Sequence, residues 1–324
     1  MPLSRPRGHA LIPTVVALLL ASSPGLSGAN GAAVVADSGS QVAWTRLDYE
    51  ASVSVARTRA RLSLSRIASD EAVPDLLSPP IGGSALRPAG NSLMQMSVDT
   101  VLKGSLFSTK RYRGWVWFEP TDGRSLQRSR LREGSDGNLR LYRYTDEGVY
   151  RLRLEPESRS ESERPPREWG KRREAFFPLD PDAHGCARIV DPAVLIYLVS
   201  REVLRSEPGQ RSHCVFNKRE LYRVTVSRTG LERSEVSYVL SDADGESRIE
   251  GPRDLLKIRL DAELLGPASQ DAEPFELLGL ERTIHLLLEP RLGIPVRVTG
   301  YTPRVGEGGL DLVRVELAAA SPGD

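Results

Sequence analysis

Cysteine, histidine and lysine are scarce in this 324-residue chain. It holds 2 cysteines and 4 histidines, and Lys103, Lys110, Lys171, Lys218 and Lys257 are its only lysines among 44 basic residues. Two cysteines exclude a disulfide-dense scaffold and a four-thiolate zinc module. With so few histidines the commonest general base and metal ligand is nearly absent. No Gly-x-Ser-x-Gly, His-Glu-x-x-His or glycine-rich phosphate loop stands in a suitable context, so no catalytic or cofactor residue is assigned. Beyond the N-terminal segment no apolar run reaches the roughly 20 residues that cross a bilayer as a helix. Charge of one sign is missing as well. Removing residues 1–29 takes away Arg5 and Arg7 and no acid, leaving 42 basic residues against 43 acidic. A nearly neutral chain has no global field to gather nucleic acid or anionic membrane.

What is present begins with Arg5, Arg7 and His9, an apolar run from Leu11 to Ala21, and small residues from Ser22 to Ala29. This is the three-part pattern of a secretory signal. Cleavage after Ser27-Gly28-Ala29 would start the mature chain at Asn30; an uncleaved N-terminal anchor is the alternative. The expected layout is a signal peptide over 1–29, a disordered leader over 30–41, a single β-rich domain over 42–318 and a disordered tail over 319–324. Export, most simply to a periplasm, follows from that layout.

Most of the domain alternates with period 2, the signature of half-buried strands. Arg57, Arg59 and Arg61 alternate with Thr58, Ala60, Leu62 and Leu64. They read as a solvated sheet face, with an anion-binding stripe as the alternative. Residues 68–92, rich in proline and glycine, read as a long loop. Trp115 and Trp117 share one face of a strand whose other face carries Val116 and Phe118, so the tryptophans line either the core or an apolar cavity. Leu126–Arg132, Leu139–Thr145 and Val149–Leu154 form a meander with turns at Glu133–Asn138 and Asp146–Gly148. Residues 155–174 lose periodicity and read as an exposed loop, locally basic around Trp169. Strand patterns return at Val215–Val226, Glu235–Leu240, Leu256–Leu264, Leu277–Leu288, Ile294–Thr302 and Leu310–Leu317. About a dozen strands without βαβ alternation predict an all-β fold, a large curved antiparallel sheet or open barrel.

One helix is expected, at about 191–206. Asp191 caps it and Pro192 fits its first turn. Val194, Leu195, Leu198 and Val199 make it apolar enough to need burial, as core or as the lining of a cavity. Cys186 and Cys214 bracket it. In an exported chain they predict a disulfide closing a loop of about 29 residues, worth roughly 3.5 kcal/mol. The rival, a metal site made with His184 and His213, suffers from poor spacing, because neighbours on a strand point to opposite faces. His285 is expected to face solvent or the sheet edge.

The segment Asp191-Pro192-Ala193-Val194-Leu195-Ile196-Tyr197-Leu198-Val199-Ser200-Arg201 is similar to the Asp-initiated helix of a family of uncharacterised bacterial periplasmic proteins, a domain of unknown function. Ile294-Pro295-Val296-Arg297-Val298 and Arg172-Arg173 before Phe176-Phe177-Pro178-Leu179-Asp180 resemble further parts of it. The resemblance implies a helix interrupting a large antiparallel sheet, akin to the half-barrel of lipoprotein carriers, and it transfers no catalytic residue. Three functions follow as expectations. The first is a non-enzymatic envelope protein binding an apolar or lipidic ligand or an envelope partner, without cofactor, nucleic acid or membrane span. The second is a scaffolding protein with a filled core. The third is an exported hydrolase with dispersed carboxylates.

Overall fold

The computed structural model describes residues 42–53, 56–104, 109–134, 136–204, 210–266, 272–302 and 306–318. The predicted signal, leader and tail, and positions 205–206 of the expected helix, lie outside the described residues. β1 (Trp44–Val53) and β2 (Ala56–Ala68) form a hairpin, followed by the short helix α1 (Ser69–Ala72). β3 (Ser92–Gly104), β4 (Lys110–Phe118), β5 (Ser125–Arg132), β6 (Asn138–Tyr144), β7 (Gly148–Glu155) and β8 (Lys171–Pro178) then meander. β9 (Ile189–Val190) leads into the long helix α2 (Val194–Leu204), and β10 (Gln210–Asn217) leaves it. β11 (Glu220–Asp242) and β12 (Gly245–Leu265) make a very long hairpin. β13 (Glu276–Leu277), β14 (Leu280–Leu288), β15 (Pro295–Thr302) and β16 (Gly306–Leu317) close the chain.

All sixteen strands belong to one sheet, in the order β8-β7-β6-β5-β4-β3-β2-β1-β16-β15-β14-β12-β11-β10-β9, with β13 beside β14. The all-β class is as expected, and two features depart from a simple antiparallel sheet. β9 runs parallel to β10, and Val239–Ser241 of β11 run parallel to Arg314–Glu316 of β16. The second pairing closes β11, β12, β14, β15 and β16 into a ring. The long hairpin reaches across because it bends at a register shift at Arg228/Gly230, where Gly230 has φ 134°. A bulge adds a residue to one strand and increases local twist, and glycine takes a positive φ without steric cost. The stretch Val215–Val226 is likewise two strands, split by a turn at Lys218, whose φ is 59°.

α2 lies against the inward side of the curved sheet. Val194 through Val199 are each at most 2 % exposed. Their cluster includes Leu47, Leu62, Met96, Val98, Val116 and Phe118 from the first strands and Val296, Val298 and Leu312 from the last. Burying such side chains contributes about 1.5–3 kcal/mol each. Polar clasps orient the helix. Tyr197 Oη donates to Pro120 O at 2.9 Å, Arg201 Nη2 donates to Thr121 O at 2.7 Å, and Trp44 Nε1 donates to Ser200 Oγ at 3.2 Å. Gly123, φ 77°, forms the β4–β5 turn beneath it; a Cβ there would meet Leu198 at 2.9 Å. Cys186 and Cys214 are joined, Sγ to Sγ 1.99 Å, tying the segment before α2 to β10. No described helix is long and apolar enough to cross a membrane.

Two segments read as loops are more ordered than expected. Residues 69–91 contain α1 and a 3-10 turn at Val73–Asp75, and Ala85 bridges to Thr145. Arg143, nearly fully buried, fastens this strap by donating to the carbonyls of Leu77 at 3.1 Å and Leu86. The second segment ends in β8, and its Trp169 is buried against Leu131, Leu139, Leu152 and Leu154. Period-2 reasoning missed β8 because an edge strand with solvated arginines has no apolar alternation.

Candidate functional site

Antiparallel register decides which side chains share a face, because directly opposed residues point the same way. Val116 of β4 packs on α2 and faces Arg128 of β5. Arg128 faces Tyr142 of β6, and Tyr142 faces Arg151 of β7. One row along, Arg130 faces Arg140, and Arg140 faces Arg153. The inward face of β5–β7 is therefore lined with arginines. Its outward face carries the leucines packed under Trp169.

Asp191 joins this face to the helix. Its Oδ1 accepts the Ala193 amide at 3.0 Å, capping α2, while its Oδ2 accepts from Arg128 Nη1 at 2.9 Å. Its own amide donates to Ser125 Oγ at 2.8 Å. Both carboxylate and guanidinium are buried, with side chains 1 % and 6 % exposed. Arg130, Arg140 and Arg151 are half-buried beside them. The Arg128 guanidinium stands 5.5 Å from the Tyr142 ring centre, and that of Arg151 stands 5.1 Å from the Phe177 ring. Phe216 of β10 completes an aromatic wall, 6.4 Å from Tyr142 and 5.6 Å from Phe177. The Nε atoms of Arg128, Arg140, Arg151 and Arg153 are buried without a hydrogen-bond partner among the described residues.

Glu276 acts on Arg128 and Arg130, but its carboxylate is also held by Lys218 at 3.0 Å. Burial alone pushes the Tyr142 phenol up; Arg140, Arg128, Arg130 and Arg151 overcome it and hold the phenol below the usual tyrosine range. Burial pulls Arg130 and Arg151 down from the ordinary arginine value, with Glu276 and Tyr142 respectively opposing. Such a surface stabilises an anion and has little capacity to move protons, since arginine stays charged at neutral pH.

The residues singled out from sequence fall into different places. Val194, Leu195, Leu198 and Val199 are packed core. Trp115 and Trp117 stack at 4.2 Å, but on the opposite sheet face, with Ala72, Leu93 and Leu126. The tryptophan pair and the helix therefore share no cavity. Arg57 and Arg59 pair with Glu50, each at 2.7 Å, and Arg61 pairs with Asp48 at 2.7 Å, so the first arginine stripe is neutralised by β1. His285 sits mid-sheet between Arg259 and Thr299, partly exposed on a face it shares with the exposed Arg259, so of its two expected placements the edge does not hold. His213 lies 3.4 Å from Glu202, and the described residues hold no metal-ligand cluster. A cavity of about 980 Å³ lies under the strap, lined by Val73, Leu76, Leu77 and Arg143 among others. Arg143 there is occupied by main-chain carbonyls. The inward arginines went unnoticed because Arg128, Arg130 and Arg132 alternate as solvated strand residues do; only register reveals that three strands aim them at one place.

No family model matches the chain, and no curated protein matches it. Among solved structures it is similar to a β-barrel-like protein of a domain of unknown function (DUF1849) from Brucella abortus. That likeness has 8 % identity, a TM-score of 0.44, and covers 86 % of this chain and 100 % of the other. At that identity no residue role passes from one chain to the other.

Proposed function

We propose that this chain is an exported, non-enzymatic protein of the cell envelope that binds an amphiphilic ligand, anionic at one end and lipidic at the other, on the inward face of β5–β7. One observation carries the reading: Arg128, Arg130, Arg140 and Arg151 gather around Tyr142 beside an apolar wall of Phe177 and Phe216, and the buried Nε atoms of Arg128, Arg140 and Arg151 have no hydrogen-bond partner among the described residues. Guanidinium groups with unfilled donors favour an anion, and the aromatic wall favours an apolar body next to it. The solid packing of α2 supports the scaffolding reading for the other part of the concave side, so the ligand is assigned to the arginine face alone. Binding in place of turnover fits a surface of arginines, which are poor general acids and bases.

Native mass spectrometry of protein purified from its own host tests this. A co-purifying amphiphile that is lost on Arg140→Gln supports it. Protein that emerges free of ligand, and stays free when offered anionic amphiphiles, ends it.

A further inference from the structure

The strap across the outward side of the sheet is tied down along its length. The Ser69 amide donates to Asn91 O at 2.9 Å and closes its base. Gln127 holds its middle, accepting from the Leu77 amide at 2.7 Å and donating to Asp75 O at 3.1 Å. The Leu86 amide donates to Tyr144 O at 3.0 Å, and the Ala89 amide donates to Glu119 Oε1 at 2.7 Å. A segment so fixed has given up its conformational freedom. It nevertheless stands off the sheet, over a cavity of about 980 Å³. Small-molecule sites span about 300–1,000 Å³, and this volume lies at the top of that range.

The lining divides by chemistry. Val73, Leu76, Leu77 and Pro88 give it an apolar wall, and Val73 is 50 % exposed. Arg143 also lines the cavity, although it is itself only 2 % exposed. All four of its hydrogen bonds go to main-chain carbonyls. Nε donates to Leu77 at 3.1 Å, Nη1 to Leu126 at 2.6 Å and to Tyr144 at 3.3 Å, and Nη2 to Leu86. A guanidinium carries five N–H donors, so Nη2 keeps one without a partner among the described residues. Carbonyls satisfy donors but do not cancel the charge. Burial pulls the Arg143 pKa down to about 10, and no acid opposes it. The acids nearby are engaged elsewhere: Glu119 with Arg124 at 3.4 Å, Asp75 with Arg167 at 3.3 Å, and Asp146 with the Ser84 amide at 2.7 Å. The other charged residues of the lining, Asp70 and Arg87, are opposite in sign. The lining therefore has one positive charge in excess.

One surplus charge, one spare donor and an apolar wall fit a monoanion with an apolar body. A carboxylate brings one negative charge and makes a charge-assisted bond to a guanidinium. A phosphate monoester brings close to two charges, more than this lining matches. We infer that the cavity under the strap is a second binding site, and that it takes a monocarboxylic acid, its carboxylate towards Arg143 and its apolar body against Val73, Leu76 and Leu77. The site is separate from the arginine face. Arg143 follows Tyr142 on β6, and successive strand residues point to opposite sides of the sheet.

Calorimetric titration of the full mature protein with octanoate, octanamide and octylammonium tests this. The three probes share a chain and differ in the charge of the head. Octanoate is expected to bind about tenfold or more tightly than octanamide, and octylammonium more weakly than either. Arg140→Gln, on the opposite face, is expected to leave octanoate binding intact. Val73→Trp, at an exposed position of the cavity wall, is expected to weaken it at least tenfold with an unchanged melting curve. Arg143→Met is expected to erase the preference for octanoate over octanamide. Arg143 also fastens the strap, so Val73→Trp locates the site on its own if Arg143→Met does not fold. Octanoate binding that is lost in Arg140→Gln and kept in Val73→Trp overturns this inference and upholds the amphiphile site on the arginine face. Equal affinity for octanoate and octanamide overturns the carboxylate assignment. Absence of octanoate binding overturns the second site and leaves the amphiphile reading to its own test.

Discussion

The inward faces of β3–β4 and of β5–β7 belong to one continuous sheet and are built on opposite principles. On β3–β4 the inward residues Met94, Met96, Val98, Val116 and Phe118 close on a helix that excludes water. On the strands that follow directly, the inward residues are Arg128, Arg130, Arg140 and Arg151, and the leucines have moved to the outside under Trp169. The difference arises without any break in the hydrogen-bond ladder. It shows that a curved sheet has no fixed inside; each strand pair turns its apolar face towards whatever covers it. α2 covers one region from within, and the segment ending at Trp169 covers the other from without. Asp191 stands at the seam, capping the apolar helix with one oxygen and neutralising the first arginine with the other.

Substitutions on the two sides should therefore behave differently. The largest effect is expected from Leu198→Asp, which places an unpaired charge in the packed side; several kcal/mol is enough to unfold a domain of ordinary stability. An unchanged melting curve would show α2 to be peripheral. Asp191→Ala breaks the buried pair and removes the cap, for about 3–5 kcal/mol by denaturant titration. A loss under about 1 kcal/mol would mean that the two regions are not coupled through this carboxylate. Replacing both Cys186 and Cys214 with serine should cost roughly 3.5 kcal/mol, and reductant acting on the parent protein should reproduce it. The sign reverses on the arginine side: Arg140→Leu should leave stability unchanged or raise it by up to about 1 kcal/mol, because it relieves a like-charge pair. A large loss there would make the arginine face as structural as the helix face.

The smallest effect is a pH signature. Tyr142 is an acid whose folded pKa is depressed, so its contribution to stability is present above the unfolded tyrosine value and lost as pH falls through the folded one. Stability should rise with pH between those two values, by an amount that Tyr142→Phe removes. Ultraviolet titration should show one tyrosine ionising ahead of the rest. A tyrosine titration identical in parent and variant would contradict the clustering of charge around that ring.

Legibility from sequence followed the range of the forces involved. The β-rich class, the meander of β5–β7 and the capped helix were all readable, because strand alternation, turn chemistry and capping act over a few residues. The cysteine pair was readable because a count of two leaves a single pairing within the chain. Trp115 and Trp117 were seen to share a face, but not that this face lies away from α2. The arginine stripe that periodicity singled out, Arg57, Arg59 and Arg61, is neutralised by acids on a neighbouring strand. The cluster on β5–β7 is assembled from three strands, each unremarkable alone.

The sequence by itself determined the local elements: where strands alternate, where the chain turns, where the one long helix starts and which thiols can meet. Only the tertiary structure decided which side of each strand is inside, and so which arginines stay solvated and which are brought together. The physical reason is that period 2 specifies two faces without naming them. The naming is done by long-range packing, here by α2 within and Trp169 without, and that information is carried by no single stretch of the chain.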